Sequence, residues 1–395
     1  MKKITTFFFT AVVLSSCYVV KAYRFRNFDL KDLHKIDAVD LPSSAKPFVF
    51  AYDTLRFTWL KKFLDEELAA SQTYAFLVIH NDSILYERYF GDVQEDSKLP
   101  SFSMAKSVTS TLLGIALHEG YIKSLQEPVT NYLPQLRKND GGFDRVTIQN
   151  VLDMRSGIKS NENYTNPFSD VLKMGFARNV SKPVLNAKTE APPGNFNYKS
   201  ANTQLLAQII EKATGRKLQD YAAEKLWGPL QMEFPASWNN DKQKTVRAFC
   251  CINATARDFA RFGSLFLHKG GWQGKQVVPA AWVRQSTTAD SMFKYEGYKN
   301  QWWAKERVIT STDSGRVAKF INTLGSKSRT SIRDRNGVKE YAVYYYDGAY
   351  YAAGLLGQYI YINPAKKLLI VRLGHDWSHP KMYAVPFIYN LGDKL

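Results

Sequence analysis

From Thr54 to Ala70 the apolar residues Leu55, Trp59, Leu60, Phe63, Leu64 and Leu68 recur at helical spacing. The period then changes. Tyr74–His80 and Ser83–Phe90 are rich in β-branched and aromatic residues, and Asn81-Asp82 between them marks a hairpin turn. Leu112, Leu113, Ile115 and Leu117 predict a helix running on from Ser103. Leu205–Thr214, closed by Gly215, and Asp258–Leu267, followed by Gly270-Gly271, predict two more. Strand-like runs return at Tyr341–Tyr346, Gln358–Ile362 and Leu368–Leu373, the last two joined by a turn containing Pro364, and an amphipathic helix from about Met382 closes the chain. Strands at both ends of a helical middle predict an α/β (α+β) fold. Its core is one antiparallel sheet built from the N- and C-terminal segments and flanked by helices, with a mainly helical subdomain inserted over about residues 110–300. The groove between the two parts is where a site is expected.

The N-terminus stands apart from this pattern. Met1-Lys2-Lys3, an apolar stretch from Phe7 to Leu14 and then Ser15-Ser16-Cys17 have the order of an export signal. Leu14-Ser15-Ser16-Cys17 also resembles a bacterial lipobox, in which Cys17 is lipidated. Apolar character continuing through Tyr18-Val19-Val20 leaves an uncleaved anchor open. Either way residues 1–20 place the chain on the periplasmic side, held to the membrane. Residues 21–50 read as a tether and 51–395 as the domain proper.

The net charge of +17 raises nucleic acid as a partner. Lys and Arg are scattered, however, apart from a basic run between Lys327 and Lys339, and no nucleic-acid motif accompanies them, so that class is set aside. Cys250 and Cys251 are adjacent, which reads as a buried apolar pair without a disulfide. His375, Asp376 and His379 sit in a loop beside Pro380, and a structural role is expected of them. No metal and no cofactor are required.

Candidate chemistry centres on Ser103-Met104-Ala105-Lys106. A serine and a lysine three residues apart at the start of a helix share one face, where the free N–H groups favour a developing oxyanion. The same Ser-x-x-Lys spacing recurs at Ser43/Lys46, Ser156/Lys159, Ser291/Lys294 and Ser378/Lys381, but none of these opens a long amphipathic helix. A second candidate is Pro192-Pro193-Gly194-Asn195-Phe196-Asn197-Tyr198-Lys199-Ser200. There a Pro-Gly turn projects a tyrosine able to relay a proton.

Together these blocks resemble the serine β-lactamase-like superfamily of class C β-lactamases, D-alanyl-D-alanine carboxypeptidases and esterases, and in particular the 6-aminohexanoate-dimer hydrolases. The resemblance spans about residues 70–390. It extends to Leu152-Asp153-Met154-Arg155-Ser156-Gly157, to the run from Asn253 through Thr255 and Asp258 to Gly263, to Gln301-Trp302-Trp303 and to Gly354-Leu355-Leu356-Gly357-Gln358. It implies Ser103 as nucleophile, Lys106 as base, Tyr198 as proton relay, and the backbone N–H groups of Ser103 and Leu355 as oxyanion hole. Tyr164, Ser200, Trp302, Gly354 and Gly357 are the implied substrate contacts. The implied activity is hydrolysis of a small-molecule or peptide-like amide or ester without a cofactor. The alternative is a wall-binding or penicillin-sensing protein that acylates slowly. Two departures favour a substrate other than a β-lactam: Ala352-Ala353-Gly354 stands where the peptidases have Lys-Thr-Gly, and Ser200 stands where they have Asn. The stretch between Trp303 and Gly354, with its basic run, is either a lid or a surface excursion, and an arginine from it could replace the missing cation.

Overall fold

A computed structural model of the chain describes residues 18–25, 30–289, 296–324, 328–377 and 383–395. Cys17, Ser291, Lys294, Lys327, Ser378, His379, Lys381 and Met382 lie outside the described residues. Helix α1 (Tyr18–Arg24) and strands β1 (Ala38–Leu41) and β2 (Ala51–Tyr52) lead into α2 (Thr58–Ala69) and the hairpin β3 (Thr73–His80) and β4 (Ser83–Tyr89). The middle holds β5 (Leu99–Pro100), α3 (Ala105–His118), α4 (Asp170–Phe176), α5 (Ser200–Thr214), β6 (Ala236–Asn239), β7 (Ile252–Ala254) and α6 (Ala256–Leu267). Two short strands follow, β8 (Tyr298–Lys299) and β9 (Trp302–Trp303). After them come β10 (Arg307–Ser311), α7 (Ser314–Leu324), β11 (Ser328–Arg335) and β12 (Val338–Tyr345). The chain ends with β13 (Tyr350–Gly354), β14 (Gln358–Asn363), β15 (Leu368–Gly374) and α8 (Ala384–Lys394).

The main sheet runs in the order β8-β9-β13-β14-β15-β3-β4-β2, antiparallel except where β2 lies parallel to β4. Near its centre β15 pairs with β3, Leu369 opposite Ile79 and Val371 opposite Leu77. Successive side chains of a strand point to opposite faces. Phe76 and Val78 of β3, with Leu368 and Ile370 of β15, therefore meet Leu60, Leu64 and Leu68 of α2 and Phe387, Ile388 and Leu391 of α8. On the other face Ala75, Leu77 and Ile79, with Leu369, Val371 and Leu373, join the larger core that includes α6 and the helical middle. Gly263 lets α6 lie close to that face, since a Cβ there would overlap Leu369. The hairpin turns at Asn81 and Asp82, with φ of +49° and +61°. Asn and Asp tolerate that conformation better than most residues.

Two expectations change here. Residues 38–41 are not a free tether, because β1 pairs with β6 from Ala38 opposite Asn239 to Leu41 opposite Ala236. Tyr341–Tyr345 belongs not to the main sheet but to a separate three-stranded sheet, β10-β12-β11. Helix α7 packs against this sheet, Phe320 meeting Tyr345 edge to face at 5.3 Å.

Candidate functional site

Ser103 sits in a single 3-10 turn, Phe102–Met104, immediately ahead of α3. Phe102 takes φ +43°, an uncommon value for a bulky residue and one often found where a site dictates the backbone. The turn is fixed from below: Ser101 N–H donates to Ile252 O at 2.7 Å, and Ile252 N–H donates to Ser101 Oγ at 3.0 Å. The first turns of α3 are buried and rich in hydroxyls, each of which finds a carbonyl. Ser107 Oγ donates to Gln301 O and Ser110 Oγ to Asn300 O, both at 2.7 Å, and Thr109 Oγ1 donates to Ala248 O at 2.9 Å. Those bonds lock the helix register and with it the direction in which Lys106 points.

Lys106 is 1% exposed. Its Nζ lies 2.8 Å from Ser103 Oγ and 2.9 Å from Phe249 O, and 5.0 Å from the centre of the Tyr198 ring. Tyr198 is wedged between aromatic neighbours, stacked on Trp303 at 5.7 Å and edge-on to Tyr298 at 5.8 Å. Lys199, the sequence neighbour of this tyrosine, turns away to Glu190 and to Ile158 O.

The Asp153–Gly157 block explains how that tyrosine is held. Met154 O accepts from Asn197 N–H, Arg155 O from Gly194 N–H and Gly157 O from Glu190 N–H, each at 2.8 Å. Gly157, at φ +69°, has no room for a Cβ beside Ala191 O. The far end of this loop is pinned by Asp140, which accepts from Thr189 Oγ1 and Thr189 N–H, both at 2.7 Å. These bonds, with one from Gly142 N–H, lower the Asp140 pKa to about 2. Because the folded pKa is depressed, the stabilisation is present above the unfolded value of about 3.9 and is lost as pH falls from there towards about 2. Asp140→Asn should therefore flatten the fall of Tm across that window relative to the parent chain. An unchanged slope would show that Asp140 does not carry it.

Strand β13 brings Gly354 against the nucleophile turn, where a Cβ would overlap Ser101 O and crowd Phe102. Leu355 follows, half in solvent, and Leu356 takes φ +62°. A buried arginine supports this loop. Arg372 donates from Nη1 to Leu356 O at 2.9 Å and Gly357 O at 2.6 Å, and from Nη2 to Ser71 O at 2.7 Å and to Asp376 O. Burial lowers its pKa to about 10.

Glu162 gathers two of the expected substrate contacts. Its carboxylate accepts from Tyr164 OH at 2.7 Å, Ser200 Oγ at 2.5 Å and Ser200 N–H at 2.9 Å. Tyr164 keeps 39% exposure while its hydroxyl is held by Glu162. Burial there, then the charges of Glu162 and Tyr198, push its pKa well up, so it remains a proton donor.

Two expected contacts are corrected. Trp302 is fully buried against Phe266 at 4.3 Å and Tyr350 at 5.5 Å, and the cleft is faced instead by Trp303. Gly357, at φ +78°, makes room for Arg372 rather than for substrate. The cysteines are corrected as well: Cys250 and Cys251 are joined as a disulfide. Arg329 does not supply the missing cation, since it pairs with Glu306 and lies 3.9 Å over the Tyr344 ring. Among the described residues of 304–350, none lines either cavity that reaches Ser103. Those described residues form the separate sheet β10-β12-β11 with α7 against it, the arrangement expected of a surface excursion. Glu162, Trp303, Phe249 and Arg372 were not selected from sequence; the segment around Tyr164 and the block containing Trp303 offered a signal for the first two, and nothing pointed to Phe249 or Arg372.

A β-lactamase family model matches residues 60–386. The chain belongs to the β-lactamase family. Within it, the 6-aminohexanoate-dimer hydrolase of Paenarthrobacter ureafaciens is 30% identical over 277 residues, covering 65% of this chain and 69% of that protein. A solved Bacillus anthracis protein, provisionally named a 6-aminohexanoate-dimer hydrolase, superposes with a TM-score of 0.65 at 23% identity, over 93% of this chain and 92% of its own. A class C β-lactamase solved with cefoxitin gives a TM-score of 0.56 at 18% identity, over 86% and 99%. Both structures show the β-lactamase fold, and the family match together with the dimer-hydrolase relative places this chain among hydrolases.

Proposed function

We propose that this β-lactamase-family chain cleaves an amide or ester through an acyl-enzyme on Ser103. The observation that carries the reading is the 2.8 Å contact between Lys106 Nζ and Ser103 Oγ on one buried helix face. Lys106 takes the hydroxyl proton as Oγ attacks the acyl carbon. The oxyanion forms between the N–H groups of Ser103 and Leu355. Tyr198, beside Lys106, passes the proton to the departing amine or alcohol. Water then attacks the acyl-enzyme, giving its proton back along the same path and releasing the acid. The Ala353-Gly354 stretch brings no cation to the oxyanion side, which supports substrates that carry no carboxylate beside the scissile bond.

The basic, apolar and small-residue order of residues 1–17 supports export and tethering through Cys17. The disulfide Cys250–Cys251 is consistent with an oxidising compartment. A fluorophosphonate probe followed by peptide mass spectrometry tests the core claim. The adduct is expected on the Ser103 peptide and absent in Ser103→Ala. Labelling at another serine overturns the assignment, and a penicillin adduct on Ser103 that never turns over favours a sensor instead.

A further inference from the structure

Two cavities meet at Ser103, and they differ in kind. The smaller, about 300 Å³, is lined by Tyr198, Trp303, Tyr351 and Tyr359. The larger, about 930 Å³, lies at the upper end of ordinary ligand-site volumes and is walled mainly by apolar side chains. Its walls come from distant segments: Phe25 and Leu33 near the N-terminus, Leu172 and Phe176 of α4, Phe102 beside the serine, and Leu356. Phe25 stacks on Phe176 at 5.7 Å, so the N-terminal segment closes one side. Arg247, the one Lys or Arg among the described residues of this wall, is spent on backbone carbonyls, donating to Met174 O at 3.2 Å, Ala177 O at 3.1 Å and Asn240 O.

Resting on the acyl-enzyme reading, we propose that the large chamber binds a long unbranched aliphatic acyl chain, so that the substrates are medium- to long-chain fatty acyl esters or amides. The assignment of sides follows from Tyr198. This residue delivers the proton to the leaving group and lines the small cleft but not the chamber. The leaving group therefore departs on the aromatic side, and the acyl group extends from Ser103 into the chamber. A chain buried there gains about fourfold in kcat/KM for each methylene removed from water.

Gly175 of α4 provides the test. It lines the chamber, and a Cβ on it would meet nothing within 4 Å. Gly175→Phe should fill the space without disturbing the backbone, phenylalanine being the better helix former. For p-nitrophenyl esters below their micelle concentrations, kcat/KM of the parent chain should rise at least about 100-fold from acetate to octanoate. In Gly175→Phe the rise should shrink to a few-fold while acetate hydrolysis is kept. Independently of any variant, n-alkylboronic acids should inhibit the parent chain more tightly from butyl to octyl. Acetate hydrolysed as well as octanoate, or an unchanged profile in Gly175→Phe, overturns the chamber assignment. So does a larger gain from lengthening the alcohol of an acetate ester than from lengthening the acid. Acetate turnover that survives Ser103→Ala would instead overturn the acyl-enzyme reading.

Discussion

Ser103→Ala is expected to abolish turnover of p-nitrophenyl acetate, and Lys106→Ala to come close to doing so, with kcat falling on the order of 10³-fold or more in each. The two groups form one unit: a hydroxyl without a base is a weak nucleophile, and a base without the hydroxyl has nothing to activate. Tyr198→Phe removes only the hydroxyl from a ring that remains held by Trp303 and Tyr298, so its effect reports proton transfer rather than packing. Combined with Lys106→Ala it should add far less than the product of the single losses. Thermal stability of Ser103→Ala should stay near that of the parent chain, because Ser103 is half-buried and, among the described residues, its Oγ is bonded only to the lysine. Two independent, multiplying losses in Lys106→Ala and Tyr198→Phe would separate the residues into different steps. Ser103→Ala keeping more than about a tenth of the activity would remove it as nucleophile.

Gly354→Ala should cost about 10²-fold in kcat with the chain still folded. The added methyl group would overlap Ser101 O, and the overlap is relieved only if β13 or the nucleophile turn moves. Either movement displaces Leu355 N–H from the oxygen that gains charge, and the loss of one such donor costs 10²–10³-fold. Ester kinetics read alongside Tm separate this from general damage. The control is Gly141→Ala, where a Cβ meets nothing within 4 Å and the backbone needs no positive φ. If the two variants are equally active, the approach of β13 to Ser101 is not what sets the oxyanion site.

Much of this architecture was legible because short-range rules and long-range packing agree. Asn81-Asp82 marks a tight turn in any context, and Ser103 stands out because its helix is long and apolar. What escaped depends on neighbours that spacing does not reveal. Trp302 and Trp303 are chemically identical, and only the pairing of Trp303 with Tyr351 decides which of them faces the cleft. Gly357 reads as a loop glycine until Arg372 is found beneath it. Adjacent cysteines argue against a bridge on spacing grounds, yet the backbone at Cys251, with φ +74°, permits one. The large chamber left no sequence signature, because its walls are drawn from segments scattered along the chain. Tyr341–Tyr345 is rich in aromatic and β-branched residues like any strand, and that composition does not say which sheet a strand joins.

The order of assembly along the chain has a consequence for biosynthesis. Arg372 reaches back to Thr73 and Ser71 across 299 and 301 residues, and β15 and β3 pair near the middle of the sheet. Such distant pairings are slow to close, because loop entropy is spent before any contact repays it. A chain still emerging from the ribosome would carry Ser103 and Lys106 long before β13 supplies Leu355 or Arg372 props the loop behind it. The nascent polypeptide therefore stays chemically silent, and the hydroxyl gains its reactive setting only when the last strands arrive.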